Sequence, residues 1–202
     1  MGIPVLILGE SGSGKSASMR NFAPEEVSIF AVASKPLPFR KKLPKVDEAT
    51  YNIIYRGIKQ SKKKTFVIDD SQYLMAFELF ARVDEKGYDK FTRIAVNFKN
   101  LLTFIINETP KDVIVYLLHH TEIVDDKIKM KTVGKMLDQQ LTVEGLFSII
   151  LLCQTDGTKH KFITQSDGST LARSPMDMFP LEIDNDLKYV DETIRKYYFT
   201  EE

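Results

Sequence analysis

Gly9 is separated by four residues, Glu10, Ser11, Gly12 and Ser13, from the triplet Gly14-Lys15-Ser16. Each residue type in that pattern suits one task in holding a polyphosphate. Glycines allow backbone conformations closed to other residues, so that successive N–H groups turn inward and form an anion nest. Lys15 supplies a mobile cation, and the Ser16 hydroxyl a hard oxygen ligand for Mg²⁺. The whole is a P-loop, and the ligands expected from it are ATP and Mg²⁺. Gly9, Glu10, Ser11, Gly12, Ser13, Gly14, Lys15, Ser16 and Ala17 would line the phosphate chain, with Lys15 on the β- and γ-phosphates. The bland alternative is a flexible glycine-serine turn. Against it stand an apolar, strand-like run at residues 3–8 and helix-compatible residues 17–22, the context a P-loop requires. A helix there would aim its N-terminal partial charge at the phosphates.

A second set of candidates follows other apolar runs. Residues 65–68 lead into Asp69-Asp70-Ser71. A carboxylate at the carboxyl end of such a strand is where P-loop ATPases hold Mg²⁺, and Asp69 is assigned that role together with Ser16. Asp70 or Ser71 could equally cap the next helix. Hydrolysis also needs a group that orients or deprotonates water. Asp70 stands where many additional-strand ATPases carry glutamate, and Glu10 competes with it. Residues 113–118 form another buried-type strand ending at His119-His120, and His119, or its neighbour, suits a γ-phosphate sensor. Zinc is not expected, because Cys153 and His160 offer no ligand spacing.

The elements that position these groups read as alternating strands and helices. Residues 27–33 form a second strand. Three prolines at 36, 38 and 44 bar regular structure there. Asp47 is expected to cap a helix reaching about Gln60. Phe91, Ile94, Ala95, Phe98, Leu101, Leu102, Ile105 and Ile106 give the clearest helical period, stopped by Pro110. Residues 125–131 read as an exposed loop or short hairpin, 146–153 and 161–164 as strands, and 187–199 as a closing helix. Continuously apolar strands suit a sheet covered on both faces. The expected fold is therefore a single α/β domain, residues 1–202: a sandwich around a mainly parallel sheet that opens on a P-loop.

Lysine and arginine number 28, as do the acidic residues, so no global field draws the chain to nucleic acid. Any such contact needs a local patch. Lys127, Lys129, Lys131 and Lys135 form a basic stripe that reads as a solvated hairpin, a single-stranded DNA contact, or a cation offered to a neighbouring subunit. Arg173 is a further candidate of the last kind. The lone Cys153 excludes an internal disulfide and fits a buried core thiol. No leader or membrane-spanning run is evident, so a cytoplasmic location is expected.

Beyond single motifs, the chain resembles a family of RecA-like, AAA-type ATPases encoded by tailed phages and prophages of low-GC Gram-positive bacteria. The resemblance is carried by the P-loop together with Lys35-Pro36-Leu37-Pro38-Phe39, Ile68-Asp69-Asp70-Ser71-Gln72-Tyr73, Tyr116-Leu117-Leu118-His119-His120 and Ala172-Arg173-Ser174-Pro175-Met176. It also includes Gly87-Tyr88-Asp89-Lys90-Phe91, Thr132-Val133-Gly134-Lys135-Met136-Leu137-Asp138 and Val143-Glu144-Gly145-Leu146-Phe147. The group is similar to Sak-type single-strand annealing recombinases. That likeness implies a RecA-like P-loop NTPase three-layer sandwich, Mg-ATP, homo-oligomerisation, possible single-stranded DNA binding, phage or host replication and recombination partners, and the cytoplasm of a bacterial host. One departure stands out: where RecA carries a glutamate after its second strand, this chain has Ala33-Ser34-Lys35. Two other functions fit a P-loop, a helicase-loading or replication-accessory ATPase and a small-molecule kinase. Arg82 and Arg93 do not form the arginine-rich lid that the kinase would need.

Overall fold

In the computed structural model, which describes residues 1–200, nine strands build one sheet. In chain order they are β1 (Ile3–Gly9), β2 (Val27–Ala31), β3 (Lys45–Asp47), β4 (Thr65–Asp69), β5 (Ile114–Val124), β6 (Lys127–Met130), β7 (Ile149–Thr155), β8 (His160–Ile163) and β9 (Glu182–Asp184). Four α-helices accompany them: α1 (Tyr51–Gln60), α2 (Gln72–Ala81), α3 (Asp89–Glu108) and α4 (Leu187–Phe199). The strand order is β3-β2-β4-β5-β1-β7-β8-β9, with β6 paired to the outer part of β5. From β3 to β7 the strands are parallel; β8 is antiparallel to β7 and β9 to β8. The sheet is thus mixed but mostly parallel.

Strand parity builds two cores. Leu6, Leu8, Phe66, Ile68, Val115 and Leu117 face one side, where they meet Ile54 of α1, Leu74 and Met75 of α2, and Phe98, Leu101 and Ile105 of α3. Val5, Ile7, Val67, Tyr116, Leu118, Ile149 and Leu151 face the other, against Met19, Phe22 and Leu187, Val190 and Ile194 of α4. Helices on both faces explain why the central strands read as unbroken apolar runs. The layering is that of a three-layer α/β fold. Among the described residues no helix is long and apolar enough to cross a membrane.

Several expectations need adjusting. The segment after Ser16 is a 3₁₀ helix, Ser16–Asn21, rather than an α-helix, so little macrodipole stands behind the loop. Asp47 ends β3, and α1 starts later, its cap supplied by Thr50, whose hydroxyl accepts from the Ile53 amide. β3 follows Pro44 directly, a tolerated place because β3 is the sheet's edge. β5 does not stop at His119; it runs on to Val124 and turns back into β6. Asp125 and Asp126, both with positive φ (50° and 60°), make the two-residue turn whose twist suits a hairpin.

The register brings the chemistry to one edge. Gly9 lies opposite His120, Leu8 opposite His119, and Ala31 opposite Asp69. β5 is inserted between β1 and β4, so the ends of three parallel strands converge on the glycine-rich loop.

Candidate active site: the cleft around the glycine-rich loop

A cleft of about 450 Å³ opens at this edge, lined by Gly12, Gly14, Lys15, Ser16, Ala17, Lys35, Asp69, Asp70, His120 and His160, among others. Its floor is the loop after β1. Gly12 and Gly14 have φ of +82° and +101°, and Lys15 is right-handed, an alternation that turns successive amides to one side. A side chain at Gly9 would meet Ser13 Oγ at 2.5 Å and the Cys153 carbonyl at 2.8 Å, so the loop can close only over a hydrogen. A larger hollow, about 580 Å³ between Ile3, Lys111 and Phe199, sits at the opposite end of the strands. It shares none of the loop's groups.

Lys15 is buried and folds back on the loop, donating to the carbonyls of Gly9 (2.7 Å) and Glu10 (2.8 Å). Burial lowers its ammonium below the ordinary lysine range, against the pull of nearby carboxylates. Ser16 Oγ donates to Asp69 Oδ1 at 2.8 Å, across 53 positions of sequence. Burial raises the Asp69 carboxyl, and the Ser16 hydroxyl opposes that rise. Two hard oxygens meeting beside an anion nest suit Mg²⁺, a cation that keeps several waters and takes only one or two protein ligands. Among the described residues no cluster of three or more His, Cys, Asp or Glu could hold a metal ion.

Asp70 sits next to this pair in the left-handed region, φ 60°. Its Oδ2 is 2.8 Å from Lys35 Nζ and its Oδ1 is 3.2 Å from His120 Nε2. Burial alone would raise this carboxyl; the His120 and Lys35 nitrogens beside it outweigh that and hold the group below the usual range. Such a carboxylate is a weak base and a good acceptor.

The two histidines divide differently from expectation. His119 is fully buried and does not line the cleft. Its Nε2 donates to the Lys131 carbonyl (2.8 Å), Nδ1 lies 2.8 Å from Ser71 Oγ, and its ring packs edge-on against Phe98. The Lys131 carbonyl can only accept, so Nε2 carries a proton; the Ser71 hydroxyl, which also reaches the Leu118 carbonyl (3.1 Å), can serve Nδ1 in either role. Strand parity then turns His120 to the opposite face, where it meets Asp70. Ser71, read as a possible cap, makes no capping bond and serves His119 instead.

Burial drops the His119 imidazole to about 3. In the unfolded chain it titrates near 6.5, so below that pH the unfolded state binds the extra proton. Its contribution is complete above pH 6.5 and falls as the solution is acidified toward pH 3. Between pH 7 and pH 5 the expected loss is about 2 kcal/mol. Urea midpoints at the two pH values check this, and His119→Gln should flatten the slope whatever it does to the midpoint itself.

Other expected site residues lie elsewhere. Glu10 is exposed and lines a neighbouring cavity with Ser13, Thr121 and Lys161, not the cleft that Asp69 lines. Arg173 is committed internally: its guanidinium donates to the carbonyls of Phe147 (3.1 and 3.0 Å) and Glu144, so it is no free cation. Lys127, Lys131 and Lys135 are exposed on or after the β5–β6 hairpin. Lys129 is paired across the hairpin with Glu122 and lies 3.7 Å from Asp138. Residues 122–138 hold these four lysines and four carboxylates, Glu122, Asp125, Asp126 and Asp138, so the stripe has no net charge (4 − 4).

Three groups brace the loop without any motif to announce them. The Cys153 thiol donates to the Ser13 carbonyl (3.1 Å), His160 Nδ1 donates to the same oxygen (2.7 Å), and Asn185 Nδ2 reaches the Gly14 carbonyl (3.3 Å). Burial pushes the thiol up to about 11, so it packs rather than reacts. The chain matches no protein-family model and no curated protein sequence.

Proposed function

We propose that this chain is a RecA-like P-loop protein that binds ATP with Mg²⁺ in the cleft around Lys15 and hydrolyses it, acting in phage DNA recombination or replication. The observation that carries the reading is the Ser16–Asp69 contact, made beside a glycine-rich loop and across an inserted strand. On this reading Lys15 exchanges two backbone carbonyls for phosphate oxygens. Ser16 and Asp69 hold Mg²⁺, which supplies charge neutralisation for the phosphates. Asp70 accepts a hydrogen bond from the attacking water and orients it, and His120 keeps Asp70 in place. The link to DNA, and to a homo-oligomer, rests on the family resemblance alone.

Phosphate release from ATP, measured with and without single-stranded DNA, tests the reading. Mg-dependent turnover stimulated by DNA is the expected result; no turnover under either condition rejects an ATPase. If the hairpin touches DNA, exposed Lys127 and Lys131 are its contacts. Replacing both by alanine should then weaken binding about tenfold at low salt and reduce the log–log salt slope by about 1.4, two phosphates at roughly 0.7 each. An unchanged slope removes the hairpin from the DNA site.

A second reading has its own support. Phe77 (48% exposed), Phe80 (74%), Val83 (66%), Tyr88 (86%) and Val96 (41%) are exposed apolar side chains along α2, α3 and the link between them. A helicase-loading or accessory ATPase would use such a face to let a protein partner sense the nucleotide. Turnover indifferent to DNA but stimulated by a replicative helicase would favour it.

A further inference from the structure

Lys35 is the one cation of the cleft that neither the loop motif nor the strand ends account for. Its backbone is fixed from two sides. Ser34, with φ 56°, accepts the Glu48 amide on its hydroxyl (2.7 Å), and Lys45 Nζ donates to the Lys35 carbonyl (3.0 Å). The side chain is another matter, being 57% exposed. It leans over the Tyr73 ring, Nζ 5.3 Å from the centroid, and ends on Asp70 Oδ2 in the same cleft as Lys15, Ser16 and Asp69. A fixed backbone carrying a side chain open to solvent contrasts with Lys15, which is buried.

We propose that Lys35 is a second phosphate-binding cation, parked on Asp70 and drawn from it by the terminal phosphate of a nucleoside triphosphate. This rests on the nucleotide reading above and adds how the site tells a triphosphate from a diphosphate. Three features carry it. The pair is open to solvent on the Lys35 side, although Asp70 itself is only 10% exposed, so water screens it in part and can reach the ammonium as it leaves. A phosphate offers more charge and more acceptor oxygens than one carboxylate, so the exchange favours the phosphate. Asp70 keeps its second contact, His120, and is not stranded when Lys35 leaves. The exchange also frees one carboxylate oxygen at the moment a terminal phosphate is present.

Equilibrium binding of Mg-ADP and of a nonhydrolysable ATP analogue tests this without turnover. Lys35→Ala should weaken the analogue about tenfold and ADP by less than about threefold, the tenfold being one charge-assisted hydrogen bond. Lys35→Arg should restore the preference. Asp70→Asn, which removes the competing carboxylate, should tighten the analogue about threefold, and this gain should vanish when Lys35 is also alanine. If Lys35→Ala shifts both nucleotides equally, or neither, the proposal is overturned while the nucleotide site stands. If the parent protein binds neither nucleotide, the underlying reading fails and this one with it.

Discussion

Lys15→Ala is expected to lower affinity for both ATP and ADP by at least ~100-fold, which corresponds to about 2.7 kcal/mol. The size follows from where the ammonium lies. It is buried and hydrogen-bonded to two carbonyls of its own loop, so it is already in place beside the anion nest. A phosphate arriving there gains charge-assisted bonds in surroundings that screen poorly, each worth about 1.5–3 kcal/mol. Alanine leaves the nest's amides but no counter-charge. Calorimetric titration measures the loss directly. The nucleotide-induced rise in melting temperature, large for the parent, should vanish in the variant. Retained affinity would move the phosphate site away from the loop.

Asp69→Asn has a different signature. The amide keeps an oxygen for the Ser16 hydroxyl, so the strand end and the loop stay joined. What disappears is a buried negative charge beside Ser16, where the proposed Mg²⁺ would be held. Nucleotide affinity is expected to fall less than about tenfold, whereas single-turnover hydrolysis should drop by roughly 10²–10³, the scale on which a misplaced charge clamp costs catalysis. The magnesium concentration for half-maximal rate should rise in step. A variant that hydrolyses at the parent rate would leave Asp69 a structural partner of Ser16 only.

How much of this was legible before the fold? The strands β1, β4, β7 and the inner half of β5 were, because burial on both faces leaves an unbroken apolar run; the outer half of β5, only partly buried, was not. Lys15, Ser16 and Asp69 were also legible, each fixed by a local pattern at a strand's carboxyl end. β3 was not: three edge residues after a proline carry no period to read. His119 and His120 alternate by strand parity, but sequence alone does not say which face turns to the cleft. Lys35, His160 and Asn185 come from elements that meet the loop only through the sheet order. Arg173 looked free because its partners are backbone carbonyls, which have no letter in the sequence.

β5 carries one more implication. The strand that presents His120 to Asp70 continues unbroken to Val124, about 13 Å farther at some 3.3 Å per residue, and its partner β6 stiffens it over that stretch. Lys131 is tied back to the strand through the His119 ring. The hairpin and the cleft are therefore two ends of one beam. The Asp125–Asp126 turn stands on the same run of backbone that carries His120 to Asp70.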